Sequence, residues 1–309
     1  FSDLLLEARG IWKSFYGIPA VRDVNFCLKK GSIHGLVGEN GAGKTTLVKI
    51  FSGALNKDRG EIYIEGRKVQ IQNPEDGLKH GVRIIYQEFG GVPGLSFAAN
   101  IFLHREREFE KSKFSRWLGY LNNREMCREA TNMMELMALT NINPKRLAGE
   151  MSRSEQQIME IIKGISMKGK VYIFDEPTSS LGAEEVSQLF KVLRELKKKN
   201  YGIIYISHRL EEVMEITDEI TIMRNAEFVD SGSTGNLNVG QLVNKLLGIE
   251  RTKAKKENST ISSSITALSA IEFKYKSERK KLTKKRPVLA VRNLSRQDRF
   301  QNISFTANS

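Results

Sequence analysis

An α/β fold, with a mixed sheet covered by helices, is what the sequence predicts, and three observations predict it. Four short apolar runs, Ile33 to Val37, Val82 to Tyr86, Val171 to Phe174 and Ile203 to Ile206, have the length and composition of strands buried on both faces. Helical phrases separate them, so strands and helices alternate from Phe1 to about Gly248. A glycine-rich turn follows the first run directly, at the point where a strand hands over to a helix.

Taken in order, the stretch between the second and third runs has a different character. Met133, Met134, Leu136 and Met137 form one helical phrase, and Ile158, Ile161, Ile162 and Ile165 recur on one face of another. A helical insertion at about residues 90–165 is the simplest reading, with the methionines as core filler. From residue 249 to 286 the composition turns to Lys, Ser and Thr, which reads as a solvated linker. Between Arg251 and Arg286 twelve Lys or Arg face three Glu, so this segment carries +9 of the chain's formal +13 and the globular part is only mildly basic. Pro287 to Phe305 then repeats the opening phrase, an apolar strand, a polar turn and a second apolar strand, as though the first domain (1–248) began again at 287–309.

Composition narrows the class. With 309 residues and 40% hydrophobic content, the chain has apolar material for one or two real cores. No apolar run reaches the roughly 20 residues that a membrane-spanning helix requires. Cys27 and Cys127 are too few for a disulfide framework or a zinc site and fit a reducing compartment. The chain starts at Phe1 and stops within a strand-like phrase, so both ends read as cut.

Two motifs carry chemistry. Gly38, Glu39, Asn40, Gly41, Ala42, Gly43, Lys44 and Thr45, with Thr46 beyond, match the phosphate-binding loop in the right context, after a strand and before a helix. Its glycines let backbone N–H groups turn inward around phosphates, and the helix points its positive end at them. Lys44 is placed to hold the outer phosphates and the Thr45 hydroxyl to bind Mg²⁺. Val171 to Asp175, followed by Glu176 and Pro177, is an apolar strand ending in two carboxylates. A carboxylate there reaches the same ligand field, so Asp175 is expected to complete the Mg²⁺ shell and Glu176 to orient or deprotonate the attacking water.

These motifs, with Tyr86-Gln87-Glu88-Phe89 between them, a Ser-Glu-Gln-Gln phrase ahead of the second and Ser207-His208-Arg209 after it, resemble the ATP-binding cassette (ABC) family over residues 4–248. The phrases I-I-Y-Q-E-F, D-E-P-T-S-S-L and Y-I-S-H-R-L-E-E-V are similar to those of duplicated-cassette subunits of bacterial importers for ribose, xylose or galactose. The resemblance implies a P-loop nucleotide hydrolase fold with a mixed sheet core, an antiparallel β subdomain and the helical subdomain insertion. It implies ATP and Mg²⁺ as ligands, Phe15 or its neighbour Tyr16 stacked on adenine, Gln87 touching Mg²⁺ and the attacking water, and His208 at the outer phosphate. His34, His80 and His104 match no motif and read as surface or packing residues.

The signature phrase departs from the family. Its Leu-Ser-Gly-Gly-Gln stands here as Met151-Ser152-Arg153-Ser154-Glu155, which keeps Ser152 and replaces both glycines. Gly182 stands where the family often has Asp or Thr, and Asn225-Ala226 replaces a usual Asp-Gly turn. Head-to-tail pairing of two cassettes in this family implies that Ser152 and Ser154 are offered to the opposite nucleotide. The second cassette would be a missing carboxyl-terminal half or a second copy. The further partners implied are membrane permease subunits docking near Gln87 to Ala99 and, through them, a periplasmic or extracellular sugar-binding protein, with the chain peripheral on the cytoplasmic face. A soluble twin-cassette ATPase acting on ribosomes or RNA is the rival reading, disfavoured because the linker lacks a long charged helix; a nucleoside importer is a close variant.

Overall fold

A computed structural model describes residues 3–87, 89–109, 122–136, 142–247, 287–296 and 300–308. The expectations for Glu88, for Met137 and for the basic segment at 249–286 lie outside the described residues. The chain divides into two compact units, 1–250 and 251–309.

The first unit is built on one ten-stranded sheet. Its strands are β1 (Leu4–Phe15), β2 (Ile18–Lys29), β3 (Ile33–Gly38), β4 (Arg59–Ile64), β5 (Arg67–Val69), β6 (Val82–Ile85), β7 (Val171–Asp175), β8 (Gly202–Ile206), β9 (Glu219–Arg224) and β10 (Glu227–Ser233). Their order across the sheet is β5-β4-β1-β2-β10-β9-β3-β8-β7-β6. The first four in that order pair antiparallel where β1 and β4 meet their neighbours, while β9, β3, β8, β7 and β6 run parallel. This is the mixed core with an antiparallel wing that the family resemblance implies. All four anticipated strands are present, and the second ends at Ile85, one residue before Tyr86.

Parallel strands buried on both faces divide their side chains between two cores. On β7, Tyr172 and Phe174 join one cluster and Val171 and Ile173 the other; on β8, Ile203 and Tyr205 oppose Ile204 and Ile206 in the same way. The helices α1 (Lys44–Ser52), α2 (Pro74–Lys79), α3 (Phe97–Ile101), α4 (Asn123–Leu136), α5 (Arg153–Ser166), α6 (Ala183–Lys198), α7 (Leu210–Ile216) and α8 (Val239–Leu247) cover the faces. The inserted stretch is helical, with α3, α4 and α5 packed on one another, and Met126, Met134 and Met159 are buried in its core as fillers.

Tight turns need left-handed backbone, and one such turn is filled without glycine. Asn225 and Ala226, between β9 and β10, take φ of 51° and 68°. Ala226 is buried and its carbonyl accepts from Arg22 N–H at 2.6 Å, a contact that ties this turn to β2. The second unit, among its described residues, is an antiparallel pair, β11 (Pro287–Arg296) with β12 (Phe300–Asn308).

Candidate functional site

Register brings three carboxyl-terminal strand ends to one edge. Leu36 on β3 pairs with Ile206 on β8, and Ile206 pairs with Asp175 on β7, so the loops after all three strands open side by side. Ligand sites of open α/β sheets form at this edge.

The loop after β3 is fixed by steric exclusion. A Cβ on Gly38 would lie 2.4 Å from Met223 O, and one on Gly43 would lie 2.3 Å from Ala20 O. Gly41 and Gly43 also take φ of 83° and 97°, which side chains rarely adopt. Helix α1 therefore begins at Gly43 with no side chain capping it and no acid in its first turn. Lys44 is 7% exposed and its ammonium donates to the carbonyls of Gly38 and Glu39 at 2.8 and 3.0 Å. Burial lowers its pKa, opposed by the negative charges of Glu176 and Asp175. The cation is thus tucked into its own loop in a desolvated site.

Asp175 is buried, and its pKa is raised by burial and by the neighbouring Glu176, against the Thr45 hydrogen bond and the charge of Lys44. A buried carboxylate with a threonine hydroxyl on it, in a cleft that Gln87 also lines, is an oxygen donor set suited to Mg²⁺. Among the described residues no three His, Cys, Asp or Glu side chains form a metal cage. Thr45, Asp175 and Gln87 line one cleft of about 580 Å³, together with Tyr86, Phe89 and Lys49. His208 lines a second of about 310 Å³, with Gly38, Glu39 and Asn40.

Glu176 takes φ of 49°, a strained conformation held by its N–H donating to Ile206 O at 3.0 Å. Its Oε2 lies 3.2 Å from His208 Nδ1, with the histidine side chain 57% exposed and the glutamate 19%. The ends of β7 and β8 thus bring the two residues together.

The other expected residues sit elsewhere. Phe15 ends β1 beside the turn of Tyr16 and Gly17; Phe15 is 42% exposed and Tyr16 fully so, which leaves both rings open to a flat partner. Ser152 is the N-cap of α5, and Ser152 and Ser154 line neither cleft. The Ser154 hydroxyl donates to Glu185 Oε1 at 2.6 Å, and the other oxygen of Glu185 accepts from Gly182 N–H at 2.7 Å. A hydroxyl has one proton, so in this conformation Ser154 can accept but not donate to a phosphate. His34 is a packing residue, its ring 4.7 Å from that of Phe26 and its Nε2 2.8 Å from Thr221 Oγ1. Sequence reasoning missed Glu212, which lay in a quoted phrase without a role, and Glu185.

The fold and this site define a nucleotide-binding cassette of the P-loop class. A family model described as "ABC transporter" matches residues 21–179, and the chain belongs to that family. It is 36% identical over 301 residues to a putative ribose/galactose/methyl galactoside import ATP-binding protein of Halalkalibacterium halodurans, covering 97% of this chain and 52% of that protein. It is 38% identical over 260 residues to the galactose/methyl galactoside import ATP-binding protein MglA of Clostridium tetani, covering 84% and 51%. The chain spans about half the length of the curated relatives it matches. Among solved structures, a nucleotide-free ATP-binding cassette from an ABC transporter shares the fold with a TM-score of 0.66 at 23% identity, over 79% of this chain and 95% of that one. The cassette MJ1267 does so at 0.68 and 24%, over 80% and 98%.

Proposed function

We propose that the chain is the ATP-binding and ATP-hydrolysing part of a subunit that energises import of a monosaccharide through a separate membrane permease. The observation that carries the reading is the convergence of Lys44, Thr45, Asp175, Glu176 and His208 at one sheet edge. Lys44 and Thr45 open α1 after β3, Asp175 ends β7, and Glu176 and His208 follow β7 and β8, around a helix start with no capping side chain and no acid in its first turn. The printed names of the relatives, sugar import ATP-binding proteins, support the sugar class.

In this reading Gly38 to Thr46 wraps the phosphates, and Lys44 leaves the carbonyls of Gly38 and Glu39 for the outer phosphate oxygens. Thr45, Asp175 and Gln87 hold Mg²⁺, which when bound neutralises charge on the phosphates as a Lewis acid. Glu176 orients the attacking water and accepts its proton, and His208, beside it, faces the departing phosphate. The exposed ring of Phe15 or Tyr16 stacks on adenine. Ser152, at the start of α5, faces the nucleotide of a second cassette, supplied by the other half of the subunit or by another copy; Ser154 can join it only by releasing Glu185. The chain works at the cytoplasmic membrane face against permease subunits that receive sugar from an extracytoplasmic binding protein. Among the described residues no helix is long and apolar enough to cross the membrane, so the proposed anchorage is through those partners.

The test is Mg²⁺-ATP binding and turnover over a range of protein concentrations, for the chain and for Glu176→Gln. Expected are equal affinities, turnover that rises more steeply than linearly with parent concentration, and roughly 10³-fold lower turnover in the variant. Absence of binding in the parent overturns the reading, and undiminished turnover in the variant moves the base elsewhere.

A further inference from the structure

We infer that Glu212 is a positioning residue that sets the distance between Glu176 and His208. The inference rests on the hydrolytic reading above and adds a residue that does not itself touch the nucleotide. Glu212 lies in the first turn of α7, and its side chain is 12% exposed. Its Oε2 accepts from three hydroxyls: Thr178 Oγ1 at 2.7 Å, Tyr205 OH at 2.9 Å and Ser207 Oγ at 3.2 Å. Its Oε1 accepts from the Arg209 guanidinium at 3.0 Å. The Ser207 hydroxyl oxygen in turn accepts from Arg209 N–H at 3.0 Å.

The donors are placed symmetrically about the reacting pair. Thr178 lies two residues after Glu176 in the loop leaving β7, and Ser207 and Arg209 flank His208 in the loop leaving β8. Tyr205, fully buried near the end of β8, fixes the carboxylate from below. One carboxylate therefore ties both loops to the same point, alongside the Glu176 N–H to Ile206 O hydrogen bond and the Glu176–His208 contact. Glu176 is held at a positive φ, so its loop needs a second fastening if the side chain is to stay 3.2 Å from the His208 ring.

An ionised carboxylate is the group this arrangement requires. It accepts at both oxygens, whereas an amide turns one of them into a donor that faces either three hydroxyls or a guanidinium. Glu212→Gln keeps size and shape and loses that acceptor pattern. Glu212→Asp keeps the charge but draws it back by one methylene, out of reach of Thr178 and Tyr205 together.

The experiment compares the chain with Glu212→Gln, Tyr205→Phe and Glu176→Gln. Two readouts are used: Mg²⁺-ATP turnover, and the ring carbon–proton NMR signal of His208, assigned by its loss in His208→Ala among four histidines. For Glu212→Gln a tenfold or greater fall in kcat is expected, with KM for ATP within twofold. The His208 signal should move in the same direction as in Glu176→Gln. Tyr205→Phe, which removes one of the four donors, should show a smaller change of the same kind and serves if Glu212→Gln fails to fold. A purely structural role would lower the melting temperature while leaving kcat in the folded fraction and the His208 signal unchanged, and that result overturns the inference. If the parent chain binds no Mg²⁺-ATP, the functional reading fails on its own, and an unmoved His208 signal still decides against Glu212.

Discussion

Helices α1 and α5 each begin at a phrase that resembles a family motif, and their first turns are built in opposite ways. Helix α1 starts at a glycine with no side-chain cap and no acid, and the nearest cation rests on two backbone carbonyls. Helix α5 starts at Ser152 with a full capping box. The Ser152 hydroxyl accepts from Glu155 N–H at 3.2 Å, the Glu155 carboxylate accepts from Ser152 N–H at 2.7 Å, and Arg146 pairs with that carboxylate. Every helix start has orphan N–H groups and a partial positive charge. In α1 no side chain answers them, and Gly38 and Gly43 hold the loop open because neither tolerates a Cβ. In α5 the chain's own carboxylate occupies the place an anion would take. An anion site at a helix start thus depends as much on what the sequence withholds as on what it supplies.

The largest effect that would sharpen this contrast is acid sensitivity on the α1 side. His34 lies on β3, which feeds the phosphate loop, and burial lowers its pKa from 6.5 to about 4, against the pull of Glu219, whose Oε2 lies 3.8 Å from Nδ1. The unfolded chain takes up this proton near 6.5 and the folded chain only near 4, so stability present above pH 6.5 is lost as pH falls towards 4. The loss is roughly 3 kcal/mol. Urea midpoints measured from pH 7 to 4 for the parent and His34→Gln check this, and an equal slope in both removes His34 as the cause. Glu155 at the start of α5 behaves in another window. Burial pushes its carboxyl up, but the bonds from Ser152 and the Arg146 charge hold it below 4.5 on balance, so its contribution survives until pH drops through that lower range.

The contrast between the two helix starts was only half legible in the sequence. The strand, loop and helix on the α1 side are legible because they are contiguous, within Ile33 to Ser52, and the glycine spacing reports the steric limits directly. The buried strands were legible for the same reason. On the α5 side the lost glycines were visible, but not the bonds that replaced them, since Ser154 meets Glu185 31 residues away and Arg146 reaches Glu155 from across the preceding loop. Glu212 was invisible as a hub because Thr178 lies 34 residues before it, and only the parallel register of β7 and β8 brings the two loops together. Its three nearer donors, Tyr205, Ser207 and Arg209, share no periodic pattern that would single the carboxylate out. The strands β4, β5 and β10 escaped because they are short or half exposed and joined to their neighbours by tight turns such as Glu65-Gly66 and Asn225-Ala226.

A smaller effect tests whether α1 is built for an anion. Lys44→Ala removes the one buried cation of the loop, and a charge-assisted hydrogen bond to phosphate is worth about 2 kcal/mol. Mg²⁺-ATP affinity, followed by calorimetry, is expected to fall roughly 30-fold, which is that energy at 25 °C. Thermal stability without nucleotide should stay the same or rise, because a desolvated ammonium is lost along with its two carbonyl contacts. A marked drop in nucleotide-free stability would mean that Lys44 is there to hold the loop together, and the contrast with α5 would collapse.

The smallest effect is the converse test. Ser152→Ala deletes the N-cap of α5, which costs about 1 kcal/mol, and in a unit of this size lowers the melting temperature by about 2–4 °C. Glu155 would keep its bond to the residue-152 N–H but leave its own N–H without the hydroxyl acceptor, so the loss belongs to the helix end alone. At low protein concentration, where cassettes are separate, Mg²⁺-ATP affinity should not change, because Ser152 lines neither cleft around Lys44 and His208. At high concentration turnover should fall, since the residue would then face another cassette's nucleotide. A tenfold loss of affinity already at low concentration would place Ser152 at its own chain's nucleotide, and the two helix starts would then serve one site.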